Sequence, residues 1–131
     1  MFKTMEVEKP KKFYLKTKIE EMMAYGLQAV RNFPREDRQA AAEIRRTMLT
    51  MYRLSITVEK KFTKKTTIQE LDIELAVLRH LVRMMWDVCF HGPAKHPPLS
   101  PKQYEVWARY LDEVGNLIGG YIKSLGDKPK I

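Results

Sequence analysis

The cations between Arg38 and Lys65 are the residues whose type and spacing could do chemistry. Arg46, Arg53 and Lys60 recur at intervals of seven, as do Arg38 and Arg45. Seven residues is nearly two helical turns, so on a helix these side chains stack along one edge. Lys61, Lys64 and Lys65 prolong the row. Between residues 34 and 66 nine Lys/Arg stand against four Asp/Glu, a net charge of +5; between 67 and 92 two stand against four, a net of −2. Charge is therefore segregated within a chain whose formal total is +8. Such a row can line a phosphate backbone and bind it by releasing condensed counterions. No zinc-finger spacing and no aromatic RNP-like strand accompanies it, so contacts to phosphate and shape, with little sequence preference, are expected. The competing reading is a solvated face that serves only solubility.

The remaining constellations are weaker. Arg79 and Arg83 lie one turn apart, where like charges repel unless acids such as Asp72, Glu74 or Asp87, or a neighbouring subunit, pair with them. They are assigned to a partner or subunit interface. Gly115, Gly119 and Gly120 fall within six residues of an otherwise helical segment. Each costs about 1 kcal/mol there relative to alanine, which suggests close approach of another helix or of an aromatic ring, inside the bundle or between subunits. Asp112, Glu113 and Asn116 in the same segment argue against membrane dimerisation through the glycines. Cys89, His91 and His96, with His80, form the one metal-like group, but their spacing matches no structural zinc pattern. No glycine-flanked serine, phosphate loop or isolated carboxylate pair is present. The expectation is a chain with no catalytic residue, no metal and no cofactor.

Four helices would have to position these residues. In the first, over about Phe13 to Asn32, Leu15, Ile19, Met22, Gly26, Ala29 and Phe33 share one face; Thr17 to Glu20 is an alternative capping box at its start. Asn32-Phe33-Pro34 breaks the chain, with Pro34 in a helix-opening position. The second helix, about Arg35 to Lys61, carries a heptad-like seam of Ile44, Met48, Met51, Ser55, Val58 and Phe62. The third opens on the capping box Thr67-Ile68-Gln69-Glu70 and runs to about Phe90. Leu71, Leu75, Leu78, Val82, Met85 and Cys89 line one of its sides. Ile73, Val77, Leu81, Met84 and Val88 line another, and the second side suits contact with another subunit. A Gly/Pro loop, His91 to Leu99, leads to Ser100-Pro101-Lys102-Gln103, a serine cap with proline first and glutamine three residues on. The fourth helix then presents Trp107, Leu111, Val114, Ile118, Tyr121 and Leu125, and Gly126 ends it. With no strand pattern, the expected fold is all-α, an up-down-up-down four-helix bundle.

A chain of 131 residues, 44% hydrophobic and 10% aromatic, suffices for one globular domain. It divides into an arm (1–12), the bundle (13–125) and a tail (126–131). One cysteine allows no internal disulfide and suits a cytoplasmic location. No apolar run approaches the length of a membrane span, and the amino-terminal segment lacks the apolar core of a signal peptide.

Two stretches carry a family resemblance. FPREDR followed by EIRRTMLTMYRLS, with Phe33, Pro34, Arg35, Glu36, Ile44, Arg45 and Arg46, resembles the four-helix-bundle proteins encoded in intervening sequences of large-subunit ribosomal RNA genes. LAVLRHLVRMMWD (Leu75 to Asp87) and LSPKQYEVWARYLDEVGNLIGGYIKSL (Leu99 to Leu125) more closely resemble the accessory variability determinant (Avd) family of diversity-generating retroelements. The resemblance extends over nearly the whole chain from Phe13. It implies a four-helix bundle assembled as a pentameric ring or barrel. It also implies binding of RNA and DNA without marked sequence preference, and association with the retroelement reverse transcriptase during mutagenic cDNA synthesis, without a catalytic site. At residue level it extends to the basic positions of the second helix and to Arg79 and Arg83. The alternatives are a protein of the ribosomal intervening-sequence type and a protein-interaction scaffold.

Overall fold

A computed structural model of the chain describes residues 14–92 and 96–126. The 1–12 arm, Phe13 and the tail beyond Gly126 lie outside the described residues. Four α-helices follow in order: α1, Tyr14–Arg31; α2, Arg38–Lys60; α3, Lys65–Trp86; and α4, Pro101–Gly126. There is no strand among the described residues. Each helix packs on its two neighbours, α1 against α2 and α4, and α3 against α2 and α4. Every neighbouring pair is antiparallel. Lys16 pairs with Glu59 and Glu20 with Tyr52 across α1 and α2. Lys18 reaches Glu113 while Tyr25 packs on Trp107 across α1 and α4. The result is an up-down-up-down four-helix bundle.

The periodic apolar positions build the core. Leu15, Ile19, Met22, Ala29 and Val30 enter it from α1, and Ile44, Met48, Met51 and Val58 from α2. Leu71, Leu75, Leu78, Val82 and Met85 come from α3, and Trp107, Leu111, Val114 and Ile118 from α4. Ser55 and Thr47, buried among them, donate their hydroxyls to the Tyr52 and Glu43 carbonyl oxygens, which satisfies both inside their own helix. Trp107 is fully buried, and its Nε1 is a buried donor without a hydrogen-bond partner among the described residues. The glycine at position 26 makes room for it. A Cβ there would stand 2.7 Å from both Trp107 Cζ2 and Met48 Sδ.

The helix boundaries depart from expectation at four points. Pro34 is extended (φ −65°, ψ 161°) and precedes a 3-10 turn, Arg35–Asp37, so α2 proper begins at Arg38. The expected capping box of α3 is not used. The helix starts at Lys65, and the Ile68 N–H already donates to the Lys64 carbonyl. Thr67 and Ile68 are both buried, and the Thr67 hydroxyl accepts from Lys61 Nζ at 3.0 Å. Packing against the bundle thus takes the side chain that local sequence offered as a cap. Likewise the α1 helix runs from Tyr14 through Thr17 and Glu20, so those residues open nothing.

At its other end α3 stops at Trp86, not Phe90. Asp87 is extended, and its carboxylate accepts from the Cys89 N–H at 3.1 Å, starting a 3-10 turn over Val88–Phe90. Cys89 is therefore exposed and lies outside the helix's buried side. The Ser100 cap is present as expected and reciprocal. The Gln103 N–H donates to Ser100 Oγ at 3.1 Å, and the Ser100 N–H donates to Gln103 Oε1 at 3.0 Å.

Two stability predictions follow from this packing. Gly26→Ala forces a methyl into the rigid indole. Overpacking of about 1–3 kcal/mol outweighs a helix-propensity gain of about 1 kcal/mol, so the urea midpoint should fall. Ser100→Ala removes one half of the cap and should cost about 1 kcal/mol by the same measurement.

Candidate nucleic-acid interface

The α2 helix is aimed by its own apolar seam. With Ile44, Met48, Met51, Ser55 and Val58 buried, the opposite side carries Arg38, Arg45, Arg46, Arg53 and Lys60, all exposed. At 1.5 Å per residue the ridge from Arg38 to Lys60 is about 33 Å long, and Arg46, Arg53 and Lys60 repeat every ~10.5 Å. Leu49 (52% exposed) and Ile56 (37%) alternate with the cations along it. Of these cations, Arg46 alone has an ion pair among the described residues, to Glu43 at 2.6 Å. That hydrogen bond, and the charge of Glu43 behind it, raise the Arg46 pKa further above its ordinary value. The acids of the neighbouring face are engaged elsewhere, Glu59 with Lys16 and Glu20 with the Tyr52 hydroxyl.

The ridge continues around the α2–α3 corner. Lys61 and Lys65 are exposed and Lys64 is half-buried. Lys61 is partly committed, through its bond to Thr67. Lys60 closes the last turn of α2, where the helix dipole favours a cation. Lys64 and Lys65 stand at the first turn of α3, where the dipole disfavours one, and that turn has no acidic residue and no side-chain cap. Positive potential is therefore concentrated at this corner. Phe62, placed in the buried seam by its spacing, is instead 97% exposed here, because α2 ends two residues before it.

Arg79 and Arg83 lie elsewhere, along the groove between α3 and α4. Both find acids within the chain. Arg79 Nη1 meets Asp112 Oδ1 at 2.8 Å and its Nη2 donates to the Leu111 carbonyl at 3.3 Å. Arg83 pairs with Asp87 at 2.8 Å and lies 5.8 Å from the centre of the Phe90 ring. Asp112 was not among the partners that spacing suggested, because it comes from another helix. Gly115 is explained by the same contact: a Cβ there would stand 2.6 Å from Arg79 Nη2. Around Gly119 and Gly120 such an atom would meet nothing within 4 Å among the described residues. The second side of α3 is largely open. Ile73 and Val77 are 61% and 42% exposed, Leu81 and Met84 are partly buried, and Val88, beyond the helix end, is 64% exposed.

Cys89, His80 and His91 each make a local hydrogen bond. Hydrogen bonds from the Cys89 amide and thiol hold the Asp87 carboxyl below its usual range, and Arg83 adds to this. Asp87 in return pushes the Cys89 thiol up, away from the nucleophilic thiolate. His91 Nε2 lies 2.9 Å from the Met84 carbonyl oxygen and His80 Nδ1 lies 2.7 Å from that of Ala76. Among the described residues no three His, Cys, Asp or Glu side chains are grouped to hold a metal ion. Nor is any described helix long and apolar enough to cross a membrane.

The chain matches a family model described as bAvd-like over residues 13–125. No curated protein matches it. The match takes in the α2 ridge, the Arg79–Asp112 pair and the Ser100 cap alike. Because that match spans most of the chain, the chain belongs to the bAvd-like family and is an Avd-type protein.

Proposed function

We propose that this Avd-type chain is a non-catalytic accessory protein of a diversity-generating retroelement. It binds RNA and DNA along the α2 ridge, works beside the reverse transcriptase during mutagenic cDNA synthesis in the cytoplasm, and acts as a ring-like homo-oligomer, a pentamer. One observation supports the nucleic-acid reading most. Arg38, Arg45, Arg46, Arg53 and Lys60 share one exposed ridge, and only Arg46 is neutralised by a carboxylate among the described residues. A solubility surface gains nothing from keeping one sign of charge in register over ~33 Å, whereas a polyanion does. Leu49 and Ile56 add apolar contacts but no base-specific hydrogen bonds, in keeping with low sequence preference. Assembly is supported by the open Ile73–Val77 side of α3 and by Gly119, where a Cβ would meet nothing within 4 Å among the described residues. Arg79 and Arg83, already paired within the chain, border that contact without supplying free charge to it.

Exchanging Arg46 and Arg53 for glutamate together should lower affinity for a 20-nucleotide RNA roughly tenfold or more and flatten the salt dependence by about two units of log–log slope. The variant should melt like the parent, since both positions are exposed. Anisotropy titrations between low and high salt measure both quantities, and unchanged binding would falsify the ridge as the contact surface. Light scattering at micromolar concentration should return a multiple of the 15.5 kDa chain mass, reduced by Ile73→Glu with Val77→Glu. A parent protein that runs as a monomer ends the assembly reading.

A further inference from the structure

We propose that Phe62 is a stacking platform for an unpaired nucleobase, placed where the α2 ridge turns into α3. The inference rests on the reading of that ridge as a nucleic-acid surface and says which form of nucleic acid its end is built to take. Phe62 has the greatest exposure, 97%, of the large hydrophobic side chains among the described residues. Most other aromatic rings have company. Trp107 is buried against Tyr25, Trp86 and Tyr104 stack on each other at 4.4 Å between centroids, and Tyr52 donates its hydroxyl to Glu20.

The surroundings of Phe62 identify its partner. Lys60, Lys61, Lys64 and Lys65 flank it within six residues, with no acid among them. The connection is short and anchored: the Lys61 N–H donates to the Thr57 carbonyl at 2.8 Å, and Lys61 Nζ to the Thr67 hydroxyl. The ring is thus displayed at a fixed corner. A protein hot spot or a membrane anchor uses a contiguous apolar area, but the residues on either side of Phe62 in the chain are lysine and threonine. A π-face framed by cations, at the end of a phosphate-binding rail, meets the two needs of a single strand, whose phosphates track the charges while a base stacks on the ring. A duplex offers the same phosphates but keeps its bases stacked on one another, so the ring adds nothing to it.

The test compares Phe62→Leu, which keeps apolarity and removes the π-system, with Phe62→Tyr, which keeps the ring. Both are titrated against a 12-nucleotide single-stranded RNA, the same strand as a duplex, and a strand of equal length with abasic sites. Phe62→Leu should bind the intact single strand about five- to a hundredfold more weakly with an unchanged salt slope. It should bind duplex and abasic strand like the parent, while Phe62→Tyr restores single-strand affinity. Parental binding of the single strand by Phe62→Leu overturns the proposal, as does equal weakening on all three ligands. A change of mass in light scattering with nucleic-acid binding intact would give the ring to a contact between copies instead. Loss of binding to phosphatidylserine vesicles, with RNA affinity unaltered, would give it to a lipid surface, and either result sinks the proposal. The Arg46→Glu, Arg53→Glu variant separates the two levels. If it weakens RNA binding while Phe62→Leu does not, the ring fails alone; if neither has an effect, the ridge fails too.

Discussion

The rotation of α2 about its own axis is the constraint on which the rest depends. Ile44, Met48, Met51, Ser55 and Val58 are each fully buried, so the helix has one permitted orientation against α1 and α3. A single-residue slip would turn it by about 100° and bring arginines into the core, where unpaired charge costs several kcal/mol. The same seam that stabilises the bundle therefore holds five cations outward in one line. The ridge is a geometric consequence of the core, and no dedicated loop or cofactor is needed to shape it.

Electrostatics then distinguishes two basic regions that composition merges. Arg79 and Arg83 are anchored by Asp112 and Asp87. Being about half exposed, these pairs contribute little to stability, but they leave the α3–α4 groove nearly neutral. The ridge and the α2–α3 corner keep their charge. Lys64 and Lys65 even sit against the helix dipole at the start of α3, an arrangement of small local cost that a bound anion would reverse in sign.

Some features stand open on the surface of the described bundle. Ile73 and Val77 are exposed on α3, and Gly119 and Gly120 carry a backbone-entropy cost in the middle of α4 with no neighbour inside the space a methyl would take. Gly26 shows the contrast. It incurs the same entropic cost, and Trp107 fills the space. These glycines thus differ: Gly26 is fixed by the internal fit of the bundle, whereas Gly119 and Gly120 face open space among the described residues.

Sequence alone determined the number of helices, their apolar sides, the Ser100 cap and the α2 ridge. Those depend on the 3.6-residue period and on hydrogen bonds within four residues, which are local properties. It could not show that Thr67 would be buried and taken by Lys61, that Asp87 would end α3 early, or that Phe62 would leave the seam. In each case a tertiary contact or a turn competes with local preference for the same side chain. The pairing of Arg79 with Asp112, thirty-three positions away, and with it the reason for Gly115, appears only once α3 and α4 lie side by side. Periodicity says which face of a helix is apolar. Only packing decides which face meets which, and therefore which charges remain free.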